Sequence, residues 1–136
     1  MRHFDPSQPL IFIHVPKTAG NSVRETVFSW FEGRSYRHYY DAAKQTMPPR
    51  RDLTQLGAQH GPPLIMGHFN KRRGFGIQDY YPQVSQFLTI LRDPLEMHVS
   101  RFHYTRRVRK TGAIHDDIGD SDLDAHINTG HLNMLE

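Results

Sequence analysis

The chain has 136 residues, enough for one domain rather than two, with 17 Lys and Arg against 14 Asp and Glu. It contains no Cys, which excludes disulfides and thiolate metal sites, and the formal net charge of +3 is too small to imply a nucleic-acid partner by itself. The longest apolar run, residues 10–15, is interrupted by His14 and is far short of the roughly 20 residues that span a bilayer. Met1 opens no secretory signal pattern, and these features together lead us to expect a soluble cytoplasmic protein.

In chain order, residues 9–15 (PLIFIHV) read as a buried strand, short and rich in β-branched and aromatic side chains. Residues 16–21 (PKTAGN) form a loop. A helix is expected over 22–31, with Val23, Val27, Trp30 and Phe31 on its apolar face. Its cap is expected at Ser22, spaced as a capping box with Glu25, or at Asn21. Residues 33–63 hold an aromatic and basic cluster from Tyr36 to Tyr40 and several prolines, and read as loops with one or two short helices. The cluster suits either packing or a platform for a ligand.

Residues 64–69 (LIMGHF) are a second strand candidate, followed by the basic loop NKRRGFG. Lys71, Arg72 and Arg73 suit either an anionic ligand or a solvated loop. Residues 86–91 (QFLTIL) are a third strand. Asp93, Pro94 and Glu96 then mark the clearest helix start: a capping carboxylate, a proline at the first helical position and an acid at the third. That helix is expected to run to about Arg109 with Leu95, Val99 and Phe102 as its stripe. A loop over 111–120 and a last helix over 121–135 complete the reading. Strands alternating with helices argue for an α/β domain with a largely parallel sheet.

Two strand-to-helix junctions carry chemistry. The first is strand–PKTAGNS. A loop feeding a helix N-terminus offers unpaired N–H groups and the positive end of the helix dipole to an anion. Ala19 and Gly20 allow close approach, Thr18, Asn21 and Ser22 offer side-chain donors, and Lys17 brings a full charge. It is not a Walker A pattern, because Lys17 precedes the glycine, and on spacing alone it equally fits an ordinary βα turn with a solvated lysine. The second junction is strand–RDPLEMHVS. Arg92 at a strand end and Ser100 two turns into the next helix can hold one phosphate, or Arg92 can simply pair with Asp93 or Glu96. His98 and His103 are not on one helical face and do not suit a zinc pair. His14 reads as a strand residue lining the first motif or the core.

Taken together, FIHVPKTAGNS at 12–22 and TILRDPLEMHVS at 89–100 resemble the two nucleotide-binding segments of PAPS (3′-phosphoadenosine-5′-phosphosulfate)-dependent sulfotransferases, in the same order. The similarity is greatest to the carbohydrate branch related to the heparan and uronyl 2-O-sulfotransferases. The resemblance implies that Lys17 contacts the phosphosulfate bridge and that Thr18, Ala19, Gly20, Asn21 and Ser22 wrap the 5′-phosphate. Relatives often have Thr where Asn21 stands. It further implies that Arg92 and Ser100 hold the 3′-phosphate, and that His68, after Gly67, is the base. Expected in consequence are PAPS as donor with PAP as product, a sugar hydroxyl as acceptor and no metal. The implied fold is a P-loop NTPase-like parallel sheet flanked by helices, forming a single domain shortened at its C-terminal end, since relatives continue well past the second motif. A short domain of this kind can complete itself as a homodimer. Two other readings stay open: a module that binds PAPS or PAP without turnover, and a phosphotransferase-like protein.

Overall fold

The computed structural model describes residues 3–41 and 43–110. The loop and the helix expected over 111–120 and 121–135 lie outside the described residues. The chain divides after Leu91 into two compact units, each described here by itself.

The first unit is a four-stranded, all-parallel sheet with helices on both faces. Its strands are β1 (Leu10–Ile13), β2 (Ser35–His38), β3 (Leu64–Gly67) and β4 (Phe87–Thr89), in the spatial order β2-β3-β1-β4. The helices are α1 (Gly20–Trp30), α2 (Leu53–His60) and the single turn α3 (Ile77–Tyr80). β1 (LIFI) and β3 (LIMG) are the central strands. Strands covered on both faces need continuous apolar sequence, which is why these two were legible as strands.

Side chains alternate across the sheet, so each strand feeds two cores. Leu10, Phe12, Leu64 and Met66 pack with Val27 of α1, joined by Val23, Phe28 and Phe31. Ile11 and Ile65 pack on the other face with Leu53 of α2 and with Tyr81 and Val84. Trp30, expected on the buried face of α1, is instead 65% exposed, and Phe28 takes its place against the core. The four apolar residues from Val27 to Phe31 cannot all face inward at 3.6 residues per turn, and the sheet selects 27, 28 and 31.

β2 was not expected. Its sequence, SYRH, has no apolar run; it is an edge strand, and only its alternation of half-buried Tyr36, exposed Arg37 and buried His38 betrays the period of two. α2 begins at Asp52, whose carboxylate accepts from the N–H groups of Thr54 and Gln55 at 2.9 and 3.0 Å.

The connections place a site. The chain leaves β1 toward β2, on the far side of β3, and leaves β3 toward β4, on the far side of β1. Right-handed crossovers in opposite directions lie on opposite faces. The carboxyl ends of β1 and β3 are therefore where the chain parts, the position at which parallel α/β sheets form ligand crevices.

The second unit contains α4 (Pro94–Lys110). It starts as its sequence dictates: the Asp93 carboxylate accepts from the Glu96 N–H at 3.1 Å, and the Asp93 carbonyl accepts from Met97 N–H at 2.9 Å. Of the expected stripe, Phe102 is buried and Val99 half-buried, but Leu95 is exposed. Among the described residues no helix is long and apolar enough to cross a membrane.

Candidate functional site

The site grows from the register of the sheet. Ile13 of β1 and His38 of β2 both pair with Gly67 of β3, so the next residue of each strand, His14, Tyr39 and His68, emerges in one row at the carboxyl edge. The ladder continues into that row: His14 N–H donates to the Gly67 carbonyl at 2.9 Å and His68 N–H to the His38 carbonyl at 3.0 Å. Gly67 is required here, because a Cβ at this position would overlap the His38 carbonyl group.

The three side chains touch. His14 Nδ1 lies 3.0 Å from the Tyr39 hydroxyl. The His14 and His68 rings have centroids 4.8 Å apart, and Tyr39 meets His68 edge-on at 4.9 Å. His68 Nε2 is buried and has no hydrogen-bond partner among the described residues.

The loop from β1 to α1 leads from His14 into the helix. Lys17 (φ 68°) and Ala19 (φ 63°) hold left-handed backbone without being glycine, and Thr18 between them does not. Such alternation turns successive N–H groups to one side, the concavity that accepts anions. It also carries a conformational cost that other contacts must offset, and such costs concentrate at binding sites. The cap of α1 is Ala19, with no side-chain cap, rather than Ser22 or Asn21 as expected from their residue types. The first N–H groups of α1 are thus left without a capping side chain. Gly20 opens the helix directly against His14; a Cβ on residue 20 would overlap His14 Nε2.

Not every expected donor is available. Thr18 is buried and its hydroxyl donates to the Val15 carbonyl at 2.7 Å, so it braces the loop from within. Ser22 is exposed on the first turn of α1. The Tyr36–Tyr40 cluster separates into roles. Tyr39 lines the row, Tyr36 packs into the core under the Arg51 guanidinium, and Tyr40 stacks on Phe75. Lys71, Arg72 and Arg73 form one 3₁₀ turn capped by the Asn70 side chain. In the second unit, Arg92 Nε donates to Glu96 at 3.1 Å, the local pairing that the sequence also allowed, and Ser100 is half-buried on α4. That ion pair is solvent-exposed and of a kind worth about 0.2–1 kcal/mol.

Burial sets the electrostatics of the row. It pushes the His68 pKa from 6.5 down to about 4, with the neighbouring His14 lowering it further. An ordinary imidazole, which the sequence led us to expect, is therefore not what stands there. Burial also lowers the pKa of His14, with Arg24 adding to the effect, and raises that of Tyr39 against the pull of Arg24 and Arg37. At neutral pH the row is uncharged, and His68 keeps its lone pair.

The sign of the pH effect on folding follows. Below pH 6.5 the unfolded His68 takes up a proton that the folded one refuses until about pH 4. Stability is therefore full above the unfolded pKa and falls as the pH drops toward the folded one. Between about pH 7 and about pH 5, wild type is expected to lose more stability in urea titrations than His68→Gln. Parallel losses in the two proteins would show that His68 is not held neutral.

No family model, curated protein or solved structure matches this chain. The class that the fold defines is an α/β protein with a four-stranded parallel sheet flanked by helices. Gly20 at the start of α1 and His68, distant in sequence, both adjoin His14. The sequence placed Tyr39 only within the Tyr36–Tyr40 cluster, as packing or platform, and His14 only as a lining or core residue; their contact with each other and with His68 depends on the edge strand β2, which was not expected.

Proposed function

We propose that the chain binds PAPS and transfers its sulfuryl group to a hydroxyl of a carbohydrate. The observation that carries this reading is the buried His68 Nε2, without a hydrogen-bond partner among the described residues, next to His14, whose Nε2 stands over Gly20 at the start of α1. The sequence resemblance supplies the identity of the donor.

On this reading the acceptor oxygen attacks sulfur, the bond from sulfur to the 5′-phosphate oxygen breaks, and PAP leaves. Charge grows on the leaving oxygen, where the Lys17 ammonium and the N–H groups of the loop stabilise it without reorganising. Thr18 and Ala19 fix the curvature of the loop, Gly20 lets the anion approach, and Asn21 and Ser22 belong to the first helical turn around the 5′-phosphate. Arg92 and Ser100 remain the proposed 3′-phosphate pair on the strength of the resemblance. The acceptor proton passes to His68 Nε2. Its basicity is low, but the acceptor oxygen becomes more acidic as it bonds to sulfur, and the free lone pair takes its proton then.

The test is calorimetry of the full chain with PAP, followed by rate measurements with PAPS and a panel of sugar acceptors. Wild type is expected to bind PAP. His68→Ala is expected to keep that affinity and lose about 10²–10⁴-fold in turnover, the range for general-base catalysis. Absence of PAP binding would sink the nucleotide assignment, and an unaltered rate in His68→Ala would remove its role as base.

A further inference from the structure

His14 adjoins residues at the ends of three elements. Its Nδ1 is 3.0 Å from the Tyr39 hydroxyl beyond β2, its ring lies 4.8 Å from His68 beyond β3, and its Nε2 stands over Gly20 at the start of α1. An anion seated on the first turn of α1 would therefore meet His14 Nε2 as well as the helix N–H groups. We infer that His14, oriented by Tyr39, is an anion ligand that takes up a proton as the anion binds, and that its proximity leaves His68 as the neutral partner. This rests on the proposed anion site in the loop 17–22.

The chemistry is self-consistent. A hydroxyl can donate or accept, so Tyr39 stays bonded to His14 Nδ1 in either protonation state. As imidazolium, His14 donates from Nδ1 to Tyr39 and from Nε2 to the anion, and a charged donor makes the stronger bond. Two imidazoles this close do not both ionise readily. Burial and His14 together hold His68 down to about 4, whereas His14 Nε2 stands over Gly20 where an anion on α1 would sit, so the proton would settle on His14. The groups that act on His14 are Tyr39, His68 and Arg24. Arg24 opposes the protonation, and the negative charge of the ligand must exceed it. Environments that separate two titrations in this way divide the labour between them: His14 carries charge to the donor, and His68 retains the lone pair for the acceptor proton. Tyr39 acts through His14 and is a positioning residue.

The experiment is NMR titration of the histidine ring protons in the full chain, free and with PAP or inorganic pyrophosphate, in wild type, His14→Gln and Tyr39→Phe. Both ligands are expected to raise the His14 pKa, leaving His68 the lower of the two. As the pH rises, the affinity of wild type should fall relative to His14→Gln by up to about tenfold per pH unit, the limit for one linked proton. The comparison with His14→Gln removes the phosphate's own ionisation near pH 6. Tyr39→Phe should retain part of the shift, because the imidazole persists without its orienting bond. A PAP affinity that depends on pH identically in wild type and His14→Gln would overturn the inference and leave the nucleotide reading intact. Binding of pyrophosphate with the His14 shift but no binding of PAP would do the reverse. Binding of neither ligand would overturn both.

Discussion

Lys17→Gly is expected to abolish sulfuryl transfer while making the protein more stable than Lys17→Ala. The two effects have separate origins. Lys17 holds φ at 68°, a region that costs an L-residue about 1–2 kcal/mol and glycine nothing in steric terms. Both substitutions remove the ammonium and whatever it touches, so their difference isolates the backbone. Part of the gain is offset by the greater freedom of glycine in the unfolded chain, and a net advantage of about 1 kcal/mol remains. The rate responds to the charge instead. Removing one preorganised donor from a developing oxyanion costs about 10²–10³-fold, and on the proposed mechanism loss of the Lys17 charge should cost at least that much. Thermal melts and initial rates at saturating PAPS measure the two separately. Turnover within a few-fold of wild type would reject the role of Lys17 at the leaving group. Equal melting temperatures for the glycine and alanine variants would reject the conformational cost.

Gly67→Ala is expected to damage fold and site together. The new Cβ would overlap the carbonyl carbon and oxygen of His38, which are backbone and cannot swing aside. β2 and β3 must separate at their carboxyl ends. Overpacking of buried positions costs about 1–3 kcal/mol when side chains absorb it, and a backbone clash in a central strand belongs at or above the upper end. The same separation displaces Tyr39 and His68, each one residue beyond the clash, so on the proposed function PAP affinity and turnover should both fall. Gly57 provides the control. It lies in α2, a Cβ there would meet nothing within 4 Å, and Gly57→Ala should stabilise by about 0.5–1 kcal/mol through helix propensity. Urea midpoints for the two variants should move in opposite directions. A Gly67→Ala protein as stable as wild type would show that His38 and Gly67 are not paired as described.

The contrast between these glycines shows where sequence reading stops. Nothing in the local sequence separates Gly67 from Gly57; one faces a neighbouring backbone and the other faces open space. The same holds for α1. Ser22 and Glu25 have capping-box spacing, yet the helix begins two residues earlier, because the backbone at Lys17 and Ala19 has already turned by then. Residue type ranks potential caps, but the preceding loop decides which residue stands at the end.

By itself the sequence determined the strand–loop–helix unit around PKTAGNS, the buried strands β1 and β3, and the start of α4 at Asp93 and Pro94. These follow from short-range physics: continuous apolar runs that need cover on both faces, and a carboxylate that satisfies helix N–H groups three residues away. Only the tertiary structure decided that SYRH is a strand, that His14, Tyr39 and His68 stand in one row, and that His68 is a weak base. Those outcomes depend on strand order and register, which join residues 25 to 54 positions apart, and on burial, which no single side chain controls.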